Sequence, residues 1–283
     1  MSTIPPNSII SAQFSRNITE LRDQISRTAE EATTGRWSDL TSQLSGRIGT
    51  AMLSQQALTD LAMQRERLGI RESRLDVTQN SLSTIHNRVA GVDTAMRAAL
   101  ASGIDTEQSL AASEAKDALG AVFTALNVRF GERYMFAGDA TATQPLASPE
   151  TLLADLQQLA DASTSAADFQ TALDTYFNDP AGGWQTTIYS GTPGSSDPDS
   201  ATAGDPALVS IIRGLAVMAL ADPKTQPSVL RQNPEIVAAG VEDLSSGIIG
   251  LTNLRSDLGV IQERLESEKQ SLDIEETVFT SAF

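Results

Sequence analysis

Two stretches of this 283-residue chain carry an apolar residue at every seventh position. The first reads Leu61, Leu68, Leu75, Leu82, Val89, Met96; the second, near the other end, reads Leu244, Leu251, Leu258, Leu265, Leu272, Phe279. A seven-residue recurrence lays one apolar stripe along a helix, and a long helix with an uncovered stripe is not stable alone. No proline interrupts the chain from about Leu44 to Ala101, so the spacing predicts a single helix there, ~85 Å long. Residues 236–283 predict a second of ~65 to 70 Å. Helices of that length do not fit inside one compact globule.

The first ladder changes character along its length. Ile85, Val92 and Ala99 fill its intermediate core positions late on, whereas Gln64, Arg71 and Thr78 occupy them early. The seam is therefore apolar in one half and polar in the other.

Between the ladders the composition shifts. Residues 139–235 hold nine of the eleven prolines and 12 acids against 3 bases, which marks a separate inserted unit. Within it PETLLADLQQLADA, ADFQTALDTYF and PALVSIIRGLAVMALA read as helices and WQTTIYSG as a strand ending in a turn. Asp197, Asp199 and Asp205 lie in a loop, GTPGSSDPDSATAGDP, that lacks the glycine and terminal glutamate of an EF-hand and reads as solvated.

An insert that leaves and re-enters one end of a helical region makes the two ladders antiparallel, each covering the other. Aligning the seams pairs Leu61 with Phe279 and Met96 with Leu244, and brings Arg65, Arg67, Arg71 and Arg74 beside Glu266, Glu268, Asp273, Glu275 and Glu276. The expected fold is mainly α: an elongated antiparallel bundle or coiled-coil rod from both chain ends, with a small mixed α/β inserted domain. Its parts are residues 1–43 as an N-terminal segment containing a helix over 15–34, residues 44–138 with 236–283 as the rod, and residues 139–235 as the insert.

Composition removes several functions. An excess of 36 acids over 20 bases gives a net charge of -16, which argues against nucleic-acid and anionic-membrane partners, since both need a basic surface. The absence of cysteine excludes disulfides, thiol nucleophiles and cysteine-zinc sites. His86 is the only histidine, too few for a triad or a histidine-rich metal site, and no phosphate-cradling or nucleophile-elbow motif occurs. No catalytic residue, metal or cofactor is expected, and any partner is a protein. MSTIPPNSII has neither the basic nor the apolar region of a secretory leader.

The remaining puzzle is RFGERYMFAGDATATQPL, where a helical region predicted over Ala112 to Phe130 ends in Phe130, Tyr134, Met135, Phe136 and Gly138 with no reactive group nearby. Apolar bulk followed by a glycine turn suits a plug closing the bundle where the chain enters the insert. Trp37 sits at a break between helices, as a joint-filling anchor or an intersubunit contact. Trp184 and Tyr189 alternate with Thr186 and Ile188, which suits a half-buried strand.

Three stretches, LRDQISRTAEEATTGR, RFGERYMFAGDATATQPL and LRSDLGVIQERLESEKQSLDI, resemble in order the amino-terminal helix, the turn signature and the carboxy-terminal helix of the bacterial flagellin family, and within it the hook-filament junction proteins. The resemblance covers both ends, roughly half the chain, and leaves out the insert. It departs after TTGR, where WSDLTSQLSGRIG replaces the usual Asp-Pro-Ala type stretch, and family members continue for about another helix beyond Phe283. It implies a non-enzymatic adaptor of the extracellular flagellum, exported unfolded by the flagellar type III system. The implied partners are hook-associated protein 1, flagellin, a ring of its own copies and an export chaperone. Flagellin itself, or a coiled-coil protein unrelated to flagella, are the alternatives.

Overall fold

The computed structural model describes residues 40–281 and, before them, residues 18, 19, 21, 22, 25, 26, 29 and 33, which are helical. The described chain is mainly α, with α1 (Leu40–Val89), α2 (Val92–Ser102), α3 (Asp105–Leu126), α4 (Pro149–Ala162), α5 (Ala166–Asn178), α6 (Pro206–Ala219), α7 (Ser228–Gln232) and α8 (Glu235–Ser281). The sheet is one short hairpin, β1 (Arg129–Phe130) against β2 (Arg133–Tyr134), antiparallel, with Arg129 opposite Tyr134 and Phe130 opposite Arg133. No described helix is long and apolar enough to cross a membrane.

The chain divides into two compact units. One comprises Met1–Met63 with Glu275–Phe283, the other Gln64–Ile274. In the first, Leu61 is buried and Phe279 half-buried, while Met52, Leu53 and Val278 are exposed.

Gln64–Ile274 holds the main core. α3 packs against α2 on one side and α6 on the other, through Ala111, Ala112, Ala115, Ala118, Leu119 and Val122 of α3. α6 is buried nearly all round, with Leu208, Ile211, Ile212, Leu215, Val217 and Met218 all inaccessible, so it serves as the central helix. Fully burying one such side chain is worth roughly 1.5–3 kcal/mol. On α8, Gly247 lets Ile211 and Ala207 of α6 approach the backbone, where a Cβ would collide with both.

Helix starts follow from local chemistry. The Ser148 hydroxyl accepts from Thr151 N–H ahead of Pro149, the Ser165 hydroxyl accepts from Asp168 N–H, and the Asp205 carboxylate accepts from Ala207 N–H ahead of Pro206. Each satisfies a donor that the first helical turn leaves free, and proline's fixed φ suits the first position.

Two expectations are corrected. The helix predicted to run unbroken through Ala101 stops at Val89 and restarts at Val92, because Gly91 is left-handed at φ 86°, a conformation open to glycine without a Cβ penalty. Val89, Val92 and Met96 are nonetheless all buried, so the apolar face continues past the break. WQTTI is a π-helical turn over Trp184–Ile188 and not a strand, closed by Tyr189 N–H donating to Trp184 O at 2.7 Å. Trp184 and Ile188, four residues apart, both enter the core. The Trp184 ring stacks on Tyr189 at 6.1 Å and lies 5.6 Å from Phe177. Strand character in residues 139–235 is confined, among the described residues, to isolated bridges such as Leu146 with Tyr189.

Candidate functional site

The residues singled out from the sequence fall on the helix seam and on the turn between α3 and residues 139–235. Within Gln64–Ile274, Leu75, Leu82, Val89 and Met96 share one apolar cluster with Leu244, Leu251, Leu258 and Leu265, and Leu68 packs at its edge. Leu272 is half-buried.

Polar bonds fix the direction of the helices. Along α1 and α2 from Arg65 to Arg97 the partners on α8 descend. Arg65 meets Asp273 at 3.0 Å and Glu72 meets Lys269 at 2.7 Å. Asp76 accepts from Gln262 at 2.9 Å, Gln79 donates to the Arg255 carbonyl at 2.7 Å, and Asp93 accepts from Ser245 at 3.3 Å. Arg97 meets Glu242 at 2.9 Å. The pair is therefore antiparallel. The Lys269 ammonium is held above its ordinary range first by its bond to Glu72. Exposed pairs of this kind contribute ~0.2–1 kcal/mol each, so they set register more than stability.

The early polar positions behave differently from one another. Thr78 is buried and its hydroxyl donates to Arg74 O at 3.0 Å within its own helix. Arg71 feels the charge of Glu268 in the acidic block of α8, but its hydrogen bonds go elsewhere. Its Nε and Nη2 donate to Asp199 Oδ2 at 2.9 and 2.5 Å, and that bond is the first cause raising the guanidinium above its ordinary range. The loop expected to be solvated is thereby tied down: the Asp199 side chain is 12% exposed, and Asp205 caps α6.

The turn begins where α3 ends. Asn127 places its amide across the backbone of Leu146, donating to the carbonyl at 3.1 Å and accepting from the N–H at 3.0 Å. Phe130, expected at the end of a helix, lies in β1 and is half-buried. Tyr134 is half-buried with the Arg129 guanidinium 5.1 Å above its ring. Met135 and Phe136 are buried. Gly138 is left-handed at φ 65°, and a Cβ there would collide with the Thr192 hydroxyl and the Gly194 carbonyl.

Residues 139–235 carry further polar anchors, one of them to α8. Arg213 of α6 lies 2.6 Å from Asp174 of α5 and 3.0 Å from Asp243 of α8. Burial raises the Asp243 carboxyl above its ordinary range against the pull of Arg213. Burial likewise pushes the Tyr176 phenol far up, helped by its bond to Asp155 at 2.7 Å. His86 is half-buried on α1. Among the described residues no three His, Asp or Glu side chains are grouped to hold a metal ion. Trp37 lies outside the described residues.

These elements define a class: an antiparallel pair of long helices that leads, through a hairpin and a glycine turn, into the helices of residues 139–235. FlgL from Bacillus cereus shares this fold, matching 82% of this chain and 99% of that one with a TM-score of 0.57 at 15% identity. A Vibrio parahaemolyticus protein described as flagellar hook-associated aligns with 85% of this chain and 92% of its own, with a TM-score of 0.42 at 14% identity. No protein-family model matches the chain, and no curated protein matches it significantly.

Proposed function

We propose that this chain is a structural component of the bacterial flagellum, an adaptor at the hook-filament junction that connects a hook-associated protein to the flagellin filament. The fold shared with FlgL over nearly the whole of that chain carries the reading. The three sequence stretches that resemble the junction proteins, in the same order around the insert, support it.

On this reading the chain works by burying helix faces, with no bond made or broken. Its partners are hook-associated protein 1, flagellin and further copies of itself, and it reaches the cell exterior through the flagellar type III system with an export chaperone. Apolar side chains suited to such contacts stand exposed on the core unit: Ile104, Leu110, Ile249 and Val260. The aromatic turn is a packing device that seats the insert and needs no reactive group.

Deletion of the gene followed by electron microscopy tests this. Hooks without filaments, with flagellin released into the medium, are expected. Normal filaments on the deletion strain would overturn the proposal, and long filaments grown from the purified protein alone would point to a filament subunit instead.

A further inference from the structure

We propose that residues 192–203 form a strap across the aromatic turn and that the Arg71–Asp199 pair is its catch, so that the strap opens by charge while the rest of the fold stays closed. The two residues are 128 positions apart, and Arg71 sits at a place in the ladder where an apolar residue would serve the seam. A polar residue there is explained by what it reaches.

The strap is fastened at three points. At its start Thr192 N–H donates to Ala137 O at 3.1 Å, and the Thr192 hydroxyl accepts from Asp139 N–H at 2.7 Å. In its middle Ser196 gives both its N–H and its hydroxyl to Asp139 Oδ1 at 2.8 Å, and Asp199 receives Arg71. At its end Ala203 N–H donates to Phe136 O at 2.9 Å.

What holds these points differs along the strap. Ala201 and Ala203 are buried, but no residue from Gly191 to Ser200 is. The first part therefore has little apolar burial to hold it and depends on hydrogen bonds and charge. Beneath it a cavity of about 20 Å³ is lined by Arg71, Arg74 and Arg133 together with Asp197, Asp199 and Ser200. Arg74 Nε and Arg133 Nε are buried there without a hydrogen-bond partner. Three guanidinium groups under a strap bearing two carboxylates attract it as a whole, and Arg71 is the one that closes a bond. Segments with few buried contacts open locally at lower free energy than the core. Opening of this first part frees the Ala137 carbonyl and exposes the cavity that Met135 helps to line.

Hydrogen exchange followed by mass spectrometry on the full chain tests this, comparing wild type, Arg71→Gln and the swapped pair Arg71→Asp with Asp199→Arg. The expected result is exchange at least about tenfold faster over residues 192–203 in Arg71→Gln, unchanged exchange in α3 and α6, and recovery to within about threefold of wild type in the swap. Raised salt should accelerate the strap of the wild type more than that of Arg71→Gln, in which Arg74 and Arg133 still face the strap. Strap exchange within about twofold of wild type in Arg71→Gln overturns the proposal. So does equal acceleration in α3 and α6, which would mean global destabilisation, or a swap that restores nothing.

Discussion

Gly214 of α6 faces the carbonyl oxygen of Gly240 and the backbone nitrogen of Leu244 on α8, with no room for a methyl group between them. The two helices pack backbone to backbone at this point, which is how α6 becomes central. Gly214→Ala should lower stability by about 1–3 kcal/mol through overpacking, even though alanine gains about 1 kcal/mol in a helix interior. Urea unfolding midpoints measure the balance, and a variant as stable as wild type would show that the contact is soft.

The seam predicts a contrast along a single helix. Leu258 is 3% exposed and Ile249 is 66% exposed. Leu258→Ala should cost about 2–5 kcal/mol as a cavity opens in the seam, while Ile249→Ala should stay within about 0.5 kcal/mol. Denaturant titration of both variants decides this, and equal losses would mean that α8 is buried on a different face.

The rungs of charge between α1 and α8 should matter little to stability. Arg65 and Asp273 are each about half exposed. Arg65→Ala should cost no more than ~1 kcal/mol at low salt, and the difference should fade at high ionic strength as screening shortens the range of the interaction. Thermal melts at two salt concentrations measure both, and a large salt-independent loss would contradict this account.

Acid should loosen the strap through Asp139. The backbone N–H of Ser196, followed by its hydroxyl, holds this carboxyl below its ordinary value of 3.8, and Arg133 adds to the effect. A group with a depressed folded-state pKa stabilises fully above the unfolded value, and its contribution is lost as the pH falls through the folded value. Protection of residues 192–203, with exchange corrected for the intrinsic amide rate at each pH, should therefore fall below pH 3.8 in the wild type. Asp139→Asn should show a faster strap at neutral pH and a smaller acid response. An identical acid response in both proteins would assign the effect elsewhere.

What the sequence made legible depended on how far apart the cooperating residues lie. The leucine recurrence on α1 and α8 and the Ser-Pro and Asp-Pro starts of α4 and α6 are local patterns, so the long helices and most helices of the insert could be read directly. The break at Gly91 could not, because a lone glycine inside a helical pattern is compatible with continuation and only the left-handed backbone distinguishes the two. Trp184 and Ile188 looked like part of an alternating strand because a five-residue window fits both periods, and burial on one side decides for the π turn. The Arg71–Asp199 catch had no sequence signal beyond a polar residue in a seam position. Its partner comes from the insert, at a distance that periodicity cannot see.

The antiparallel order of the rungs has a mechanical corollary. Within Gln64–Ile274, tension that draws α1 and α8 apart sideways at Arg65 and Asp273 would load that bond first and part the remaining rungs in succession, as a zip fastener yields tooth by tooth. Tension along the helix axes in opposite directions would load every leucine contact at once. The same pair of helices is therefore compliant to peeling and stiff to shear, and the direction in which neighbours pull on it decides which response is felt.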